Sequence, residues 1–236
     1  MRASLQGGAI VTEIEPREVA EVVLHEKKIV LLKNVFPEKM LMEIRQALLK
    51  WGRETAALSV DDFEGNYHRY RAMVSRLNKF PHVFHDYNFN DFSKLDNNLS
   101  TKLYALFEPL RVLYNSLVSY DLKFEIPGSG PYLHPQVIQY PVGGGFFGRH
   151  WHELLPQKLG FIVSMSRYGV DYPNGGPVFE INGEIVDLEG THDMGDICVW
   201  RYDYHHWVKQ SDLKDKFDWN SENGRWVATL PFYEKW

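Results

Sequence analysis

The segment YPVGGGFFGRHWHELLPQ, Tyr140 to Gln157, sets His150 and His152 two residues apart behind three glycines and two phenylalanines. On an extended strand alternate side chains share a face, so both imidazoles project together and Trp151 takes the other side. Two imidazoles so placed can bind one metal ion, at about 2.0–2.2 Å per metal–nitrogen bond. Gly143 to Gly145 let the backbone turn sharply, and Phe146 and Phe147 are placed to wall the site. A third ligand has to come from elsewhere. The best source is GDICVWRYDYHHWV, Gly195 to Val208, where a turn at Met194-Gly195-Asp196 feeds a β-type run ending in His205-His206. Neighbouring strand residues face opposite ways, so one of these two can join the cluster, and either fits on alternation alone. A single histidine is more often surface or core filler than ligand. The combination of a glycine-rich lead-in, His-x-His and a second histidine closing a β run is what points to a metal.

These residues must be carried by elements, and from Pro131 onward the chain reads as short strands. QVIQYPV, KLGFIVSMS, PVFEI, EIVDL, DICVWRY and RWVATLPFY alternate with the turn signals YPNGGP, INGE, EGTHDMGD and SENG. That texture indicates an antiparallel sandwich or barrel. Upstream, KKIVLLKNVF has strand length and β-branched character. PEKMLMEIRQALLKWG then places Met40, Ile44, Leu48 and Trp51 at helical spacing, with Pro37 in the first turn and Gly52 as the expected stop. Leu103, Leu106, Leu110, Leu113 and Leu117 mark a second helix with Ser100 as the expected N-cap, whereas HDYNFNDFSKLDNN reads as loop. We expect a single domain over residues 1–236: a strand with supporting helices and loops over 27–128, and a β core over 130–236.

Composition narrows the function classes. Of 236 residues, 44% are hydrophobic and 14% aromatic, enough for a sizeable core. The net charge of −5 and the lack of a basic block argue against nucleic acid or an anionic membrane as partner. Cys198 is the only cysteine, which excludes an internal disulfide framework and a cysteine-based zinc cluster and fits a reducing compartment. With no signal-like N-terminus and no apolar run of about 18 residues, the expectation is a cytoplasmic protein.

Taken together, QYPVGGGFFGRHWH, DYPNGGPVFEI, MGDICVWRYDYHHWV and GRWVATLPFY resemble the double-stranded β-helix of the Fe(II)/2-oxoglutarate-dependent oxygenases. The resemblance spans about residues 130–236 and implies a mainly β (α+β) fold with a jelly-roll or cupin-like core and N-terminal supporting helices. The family pattern maps onto His150, Gly175-Gly176, Gly195-Asp196, His206 followed by Val208, and Arg225; its spacing selects His206 over His205. The implied metal ligands are His150, His152 and His206, with Fe(II) and 2-oxoglutarate as cofactors and O2 and a small molecule as co-reactants. Arg225 is implied to bind the far carboxylate of 2-oxoglutarate, a role suited to a rigid guanidinium fork. Gln139, Tyr140 and Thr229 are candidate further contacts, and Phe146, Trp200, Arg201 and Tyr204 are candidate substrate-pocket residues; no catalytic side chain is assigned.

One position departs from that pattern. Where the family carries Asp or Glu after His-x, this chain has His152, so the 2-His-1-carboxylate set becomes three imidazoles. Three readings stay open: a working three-histidine site, Glu153 as ligand although alternation turns it to the wrong face, or His152 as pocket lining. Gly144, the His150-x-His152 pair and Gln157 also resemble the first cupin motif. The ligand count favours that alternative, a three-histidine metal dioxygenase or isomerase without 2-oxoglutarate. The Gly-Gly turn and Arg225 favour the oxygenases. A ligand-binding barrel without catalysis is the third possibility.

Overall fold

The computed structural model describes residues 1–58, 65–75, 80–124 and 130–235. It opens with a hairpin, β1 (Ala3–Gln6) and β2 (Ala9–Thr12), and a helix, α1 (Pro16–Leu24), in a stretch whose sequence suggested no element. Strand β3 (Val30–Leu32) and helix α2 (Glu38–Glu54) follow, with Pro37 at the helix N-cap. Leu41, Ile44 and Leu48 form the buried stripe of α2. Gly52 does not end it. The helix runs two residues further, and the glycine serves packing instead: an added Cβ would lie 3.1 Å from the Tyr87 ring.

Strands β4 (Tyr67–Met73) and β5 (His82–Asn88) pair antiparallel along their whole length. β5 corrects the sequence reading, which placed a loop there. All seven of its residues are buried, so the polar–apolar alternation that marks a half-exposed strand is missing. Its polar side chains have internal partners instead: Asp86 takes Arg69, and Asn88 takes His134 and Gln136. Helix α3 (Asn97–Val118) starts three residues before Ser100, because the Asp96 carboxylate accepts from the Asn98 and Leu99 amides and caps it there.

The remaining strands are β6 (Gly130–Leu133), β7 (Gln136–Pro141), β8 (Phe146–His150), β9 (Leu159–Ser164), β10 (Pro177–Ile181), β11 (Glu184–Asp187), β12 (Ile197–Arg201), β13 (His205–Val208), β14 (Gly224–Thr229) and β15 (Phe232–Lys235). They build one curled antiparallel sheet in the order β11-β10-β13-β8-β5-β7-β14-β9-β12-β3, with β4 flanking β5 and a separate β6–β15 pair. The sheet curls where β5 changes partner, from β8 at His82–Val83 to β7 at His85–Asn88. The main core lies between the three helices and the outer face of this sheet, around Leu41, Leu106, Leu110, Phe161 and Trp226. The concave face carries a smaller cluster, Phe84, Ile138, Tyr140, Val208 and Val227. Among the described residues no helix is long and apolar enough to cross a membrane.

Candidate metal centre and inner cavity

The concave face encloses a cavity of about 240 Å³. Its floor is set by strand register. β13 pairs with β8 so that His206 lies directly across from His150, and the turn Pro141–Gly145 that launches β8 uses Gly143 at φ +79°. His152 follows just beyond the end of β8, where the chain is still extended enough to return to the same side; Trp151 between them is exposed. Ring centroids are 4.2 Å apart for His150 and His206, 5.0 Å for His150 and His152, and 5.4 Å for His152 and His206. Each ring offers a nitrogen within 4.8 Å of the other two.

The three rings are prepared as neutral ligands. Carbonyl oxygens only accept, so His150 Nδ1 donates to Gly148 O at 2.8 Å and His206 Nδ1 donates to Tyr204 O at 2.9 Å. In the neutral ring this leaves the Nε2 lone pair free to coordinate. Burial lowers the pKa of all three, holding His206 well below its ordinary value and His152 at about 4. At neutral pH no proton has to be displaced before a cation binds. His152 lies flat on Tyr202, with centroids 4.4 Å apart and planes at 8°. His205, on the other side of β13, stays outside the cluster, near the exposed Trp151.

Arg225 sits on β14 in register with Tyr140, on the same face as the cavity-lining Val227 and Thr229 and one step deeper. Its side chain is fully buried, with the guanidinium carbon 5.8 Å from the Tyr140 ring centroid. Among the described residues none accepts a hydrogen bond from its Nε, Nη1 or Nη2. The buried Tyr172 hydroxyl lies near it; burial raises that phenol's pKa and the guanidinium partly offsets the rise. A buried cation without a counter-charge costs several kcal/mol. Its three orphaned nitrogens therefore fit an anionic ligand, as the carboxylate of 2-oxoglutarate would be.

The other candidates divide according to strand alternation. Tyr140, Thr229 and Trp200 line the cavity, although the Thr229 hydroxyl is already donated to Phe161 O at 2.9 Å. Gln139 faces away and donates to Ser221 O at 2.6 Å, tying down the loop before β14. Phe146 is also out of place as a wall: Phe147, one residue on, is the lining ring, stacked on His150 at 4.0 Å. Arg201 is turned outward and paired with Asp203 through two bonds of 2.9 Å. Tyr204 packs with Phe179, Leu188 and Cys198 and reaches the centre only through its carbonyl. For Gln139, Phe146 and Arg201 a residue next in sequence, Tyr140, Phe147 and Trp200 or Tyr202, occupies the inner face, whereas Tyr204 lies in the turn between β12 and β13. Arg69 and Arg71 of β4 were not anticipated. The alternating run YHRYR held their signal, but without the strand assignment it pointed to no common face.

No family model matches the chain, and no curated protein matches it in sequence. Solved structures do. A prolyl-4-hydroxylase from Pseudomonas putida superposes with a TM-score of 0.57 at 13% identity, covering 92% of this chain and all of that one (100%). A 2OG-Fe(II) oxygenase family oxidoreductase from Burkholderia pseudomallei gives 0.56 at 11% identity, over 98% of this chain and 95% of that one. EctD from S. alaskensis, solved with bound Fe, gives 0.54 at 14% identity, over 98% and 83%. The fold is thus the double-stranded β-helix that these oxygenases share.

Proposed function

We propose that this chain is a non-haem Fe(II)/2-oxoglutarate-dependent oxygenase acting on a small molecule, with the metal held by His150, His152 and His206. The observation that carries this reading is the pairing, on one concave face, of three converging neutral imidazoles with a buried guanidinium from which none of the described residues accepts a hydrogen bond. A three-histidine metal enzyme that does not use 2-oxoglutarate would account for the ligand set but leave Arg225 unexplained.

Bound at this centre, Fe(II) with 2-oxoglutarate supplies dioxygen activation coupled to oxidative decarboxylation. The protein's own part is positional. The Gly148 and Tyr204 carbonyls orient two imidazoles, and the Tyr202 ring fixes the third. Arg225 offers a fork to the far carboxylate of the co-substrate, with the Tyr140 ring beside it. Because no ligand is a carboxylate, the centre carries one more positive charge than a 2-His-1-carboxylate set, which strengthens its hold on an anionic chelator. Phe84, Ile138, Phe147, Ile162 and Trp200 present apolar walls that limit water around the reacting groups.

The test is an anaerobic absorption titration. A weak visible charge-transfer band should appear only when Fe(II) and 2-oxoglutarate are both present, and should vanish in Arg225→Gln while iron stays bound. Iron binding without any such band would favour the alternative metal enzyme.

A further inference from the structure

The cavity has a second polar pole that the metal centre and Arg225 leave unused. Arg69 and Arg71 stand two residues apart on β4, share a face and both line the cavity. Pairing with β5 sets Arg69 across from Asp86 and Arg71 across from Phe84. Arg69 Nε donates to both oxygens of the fully buried Asp86 carboxylate at 3.1 Å, which fixes its guanidinium plane. The Arg71 guanidinium carbon lies 5.4 Å from the Phe84 ring centroid.

From there an aromatic row leads to the metal centre. Phe84 and Phe147 are 5.5 Å apart, and Phe147 stacks on His150 at 4.0 Å. The described lining thus holds two guanidinium groups at one end, Arg69 with Asp86 behind it, three imidazoles at the other, and rings between. At about 240 Å³ the space falls below the roughly 300–1,000 Å³ of pockets for drug-sized ligands.

We propose that the substrate is a small organic acid with an apolar body, its carboxylate held by Arg71 and Arg69 and its hydrocarbon part lying over Phe84 and Phe147 toward the histidines. Planar guanidinium groups match a carboxylate edge-on, and ring faces match an apolar chain. Calling this acid a substrate rests on the oxygenase reading. The binding itself does not.

Calorimetric titration with 3-phenylpropanoate, its uncharged amide and phenyl phosphate tests the assignment. Arg225→Gln protein serves as host alongside wild type, so that the interior cation cannot capture the probe. Arg71 is the residue to change, since removing Arg69 would strand the buried Asp86. The acid should bind at least about tenfold tighter than the amide in both hosts, and Arg71→Gln should bring the two within about threefold. Equal affinity for acid and amide, an unaffected Arg71→Gln, loss of acid binding in Arg225→Gln, or phenyl phosphate binding more than about tenfold tighter would each overturn the proposal. Ni²⁺ affinity measured on the same samples separates the two readings: absent metal binding counts against the oxygenase, absent acid selectivity against the anion anchor.

Discussion

His152 and Tyr202 lie face to face, 4.4 Å between centroids and 8° from parallel. His152 is the ligand candidate that lies beyond the end of a strand rather than within one, so the tyrosine ring does for it what register does for His150 and His206. Tyr202→Ala should therefore weaken Fe(II) or Ni²⁺ affinity about 10–100-fold, the usual effect of removing a ligand's support, whereas Tyr202→Phe keeps the ring and should stay near wild type. Metal titration of the two variants decides this.

Alternation sets the candidate distal ligand. His206→Ala should lose stoichiometric metal. His205→Ala removes an imidazole from the opposite side of β13 and should retain metal within about threefold. Metal content by elemental analysis reads out both; a reversed result would move the centre to the other face of the strand.

Arg225 links stability to ligand. Because none of the described residues accepts a hydrogen bond from its buried guanidinium, Arg225→Met should leave the ligand-free protein as stable as wild type or raise its Tm by a few degrees, for a gain of about 1–3 kcal/mol. In wild type, metal with 2-oxoglutarate at about 100 times Kd should add roughly 2.7 kcal/mol, several degrees in Tm; the variant should show only the metal's share. Differential scanning fluorimetry compares them directly.

Gly160 makes the space that Trp200 fills. A Cβ there would lie 2.2 Å from the indole, across the β9–β12 pair. Gly160→Ala should cost about 1–3 kcal/mol, and adding Trp200→Phe should recover part of it. Chemical denaturation of the single and double variants measures the coupling.

Much of the candidate centre was legible in the sequence because period-two alternation and glycine turns carried it: Arg225 lies in the run RWVATLPFY, His206 in the run from Gly195, and His150 and His152 behind the glycine turn that launches β8. Legibility failed where burial erases alternation. β5 hides its role behind His82, His85, Asp86 and Asn88, polar residues of which the last three find side-chain partners on other elements, and with β5 went the facing arginines of β4. Gln139, Phe146 and Arg201 were each one residue off the inner face, the error that a strand's two-residue period makes when its register is unknown, and Tyr204 fell in the turn that splits the run from Gly195 into β12 and β13.

Acid should unfold the protein early. Burial holds His85, His134 and His192 at pKa values of about 3, far below the unfolded-state value near 6.5. The unfolded chain therefore binds more protons between those limits. Stability is fully present above about pH 6.5 and falls as pH drops toward 3, by roughly several kcal/mol before pH 4. Denaturant midpoints measured from pH 7 to 4 should decline throughout; a flat profile would contradict the buried neutral state of these rings.

X-ray absorption at the iron edge of the Fe(II)-loaded protein tests the central claim most directly. Three imidazoles on one ion should appear as outer-ring scattering from three rings, with first-shell nitrogens at about 2.0–2.2 Å, falling to two rings in His152→Ala. Scattering from one ring or none in wild type, or a spectrum unchanged by that substitution, would contradict the account.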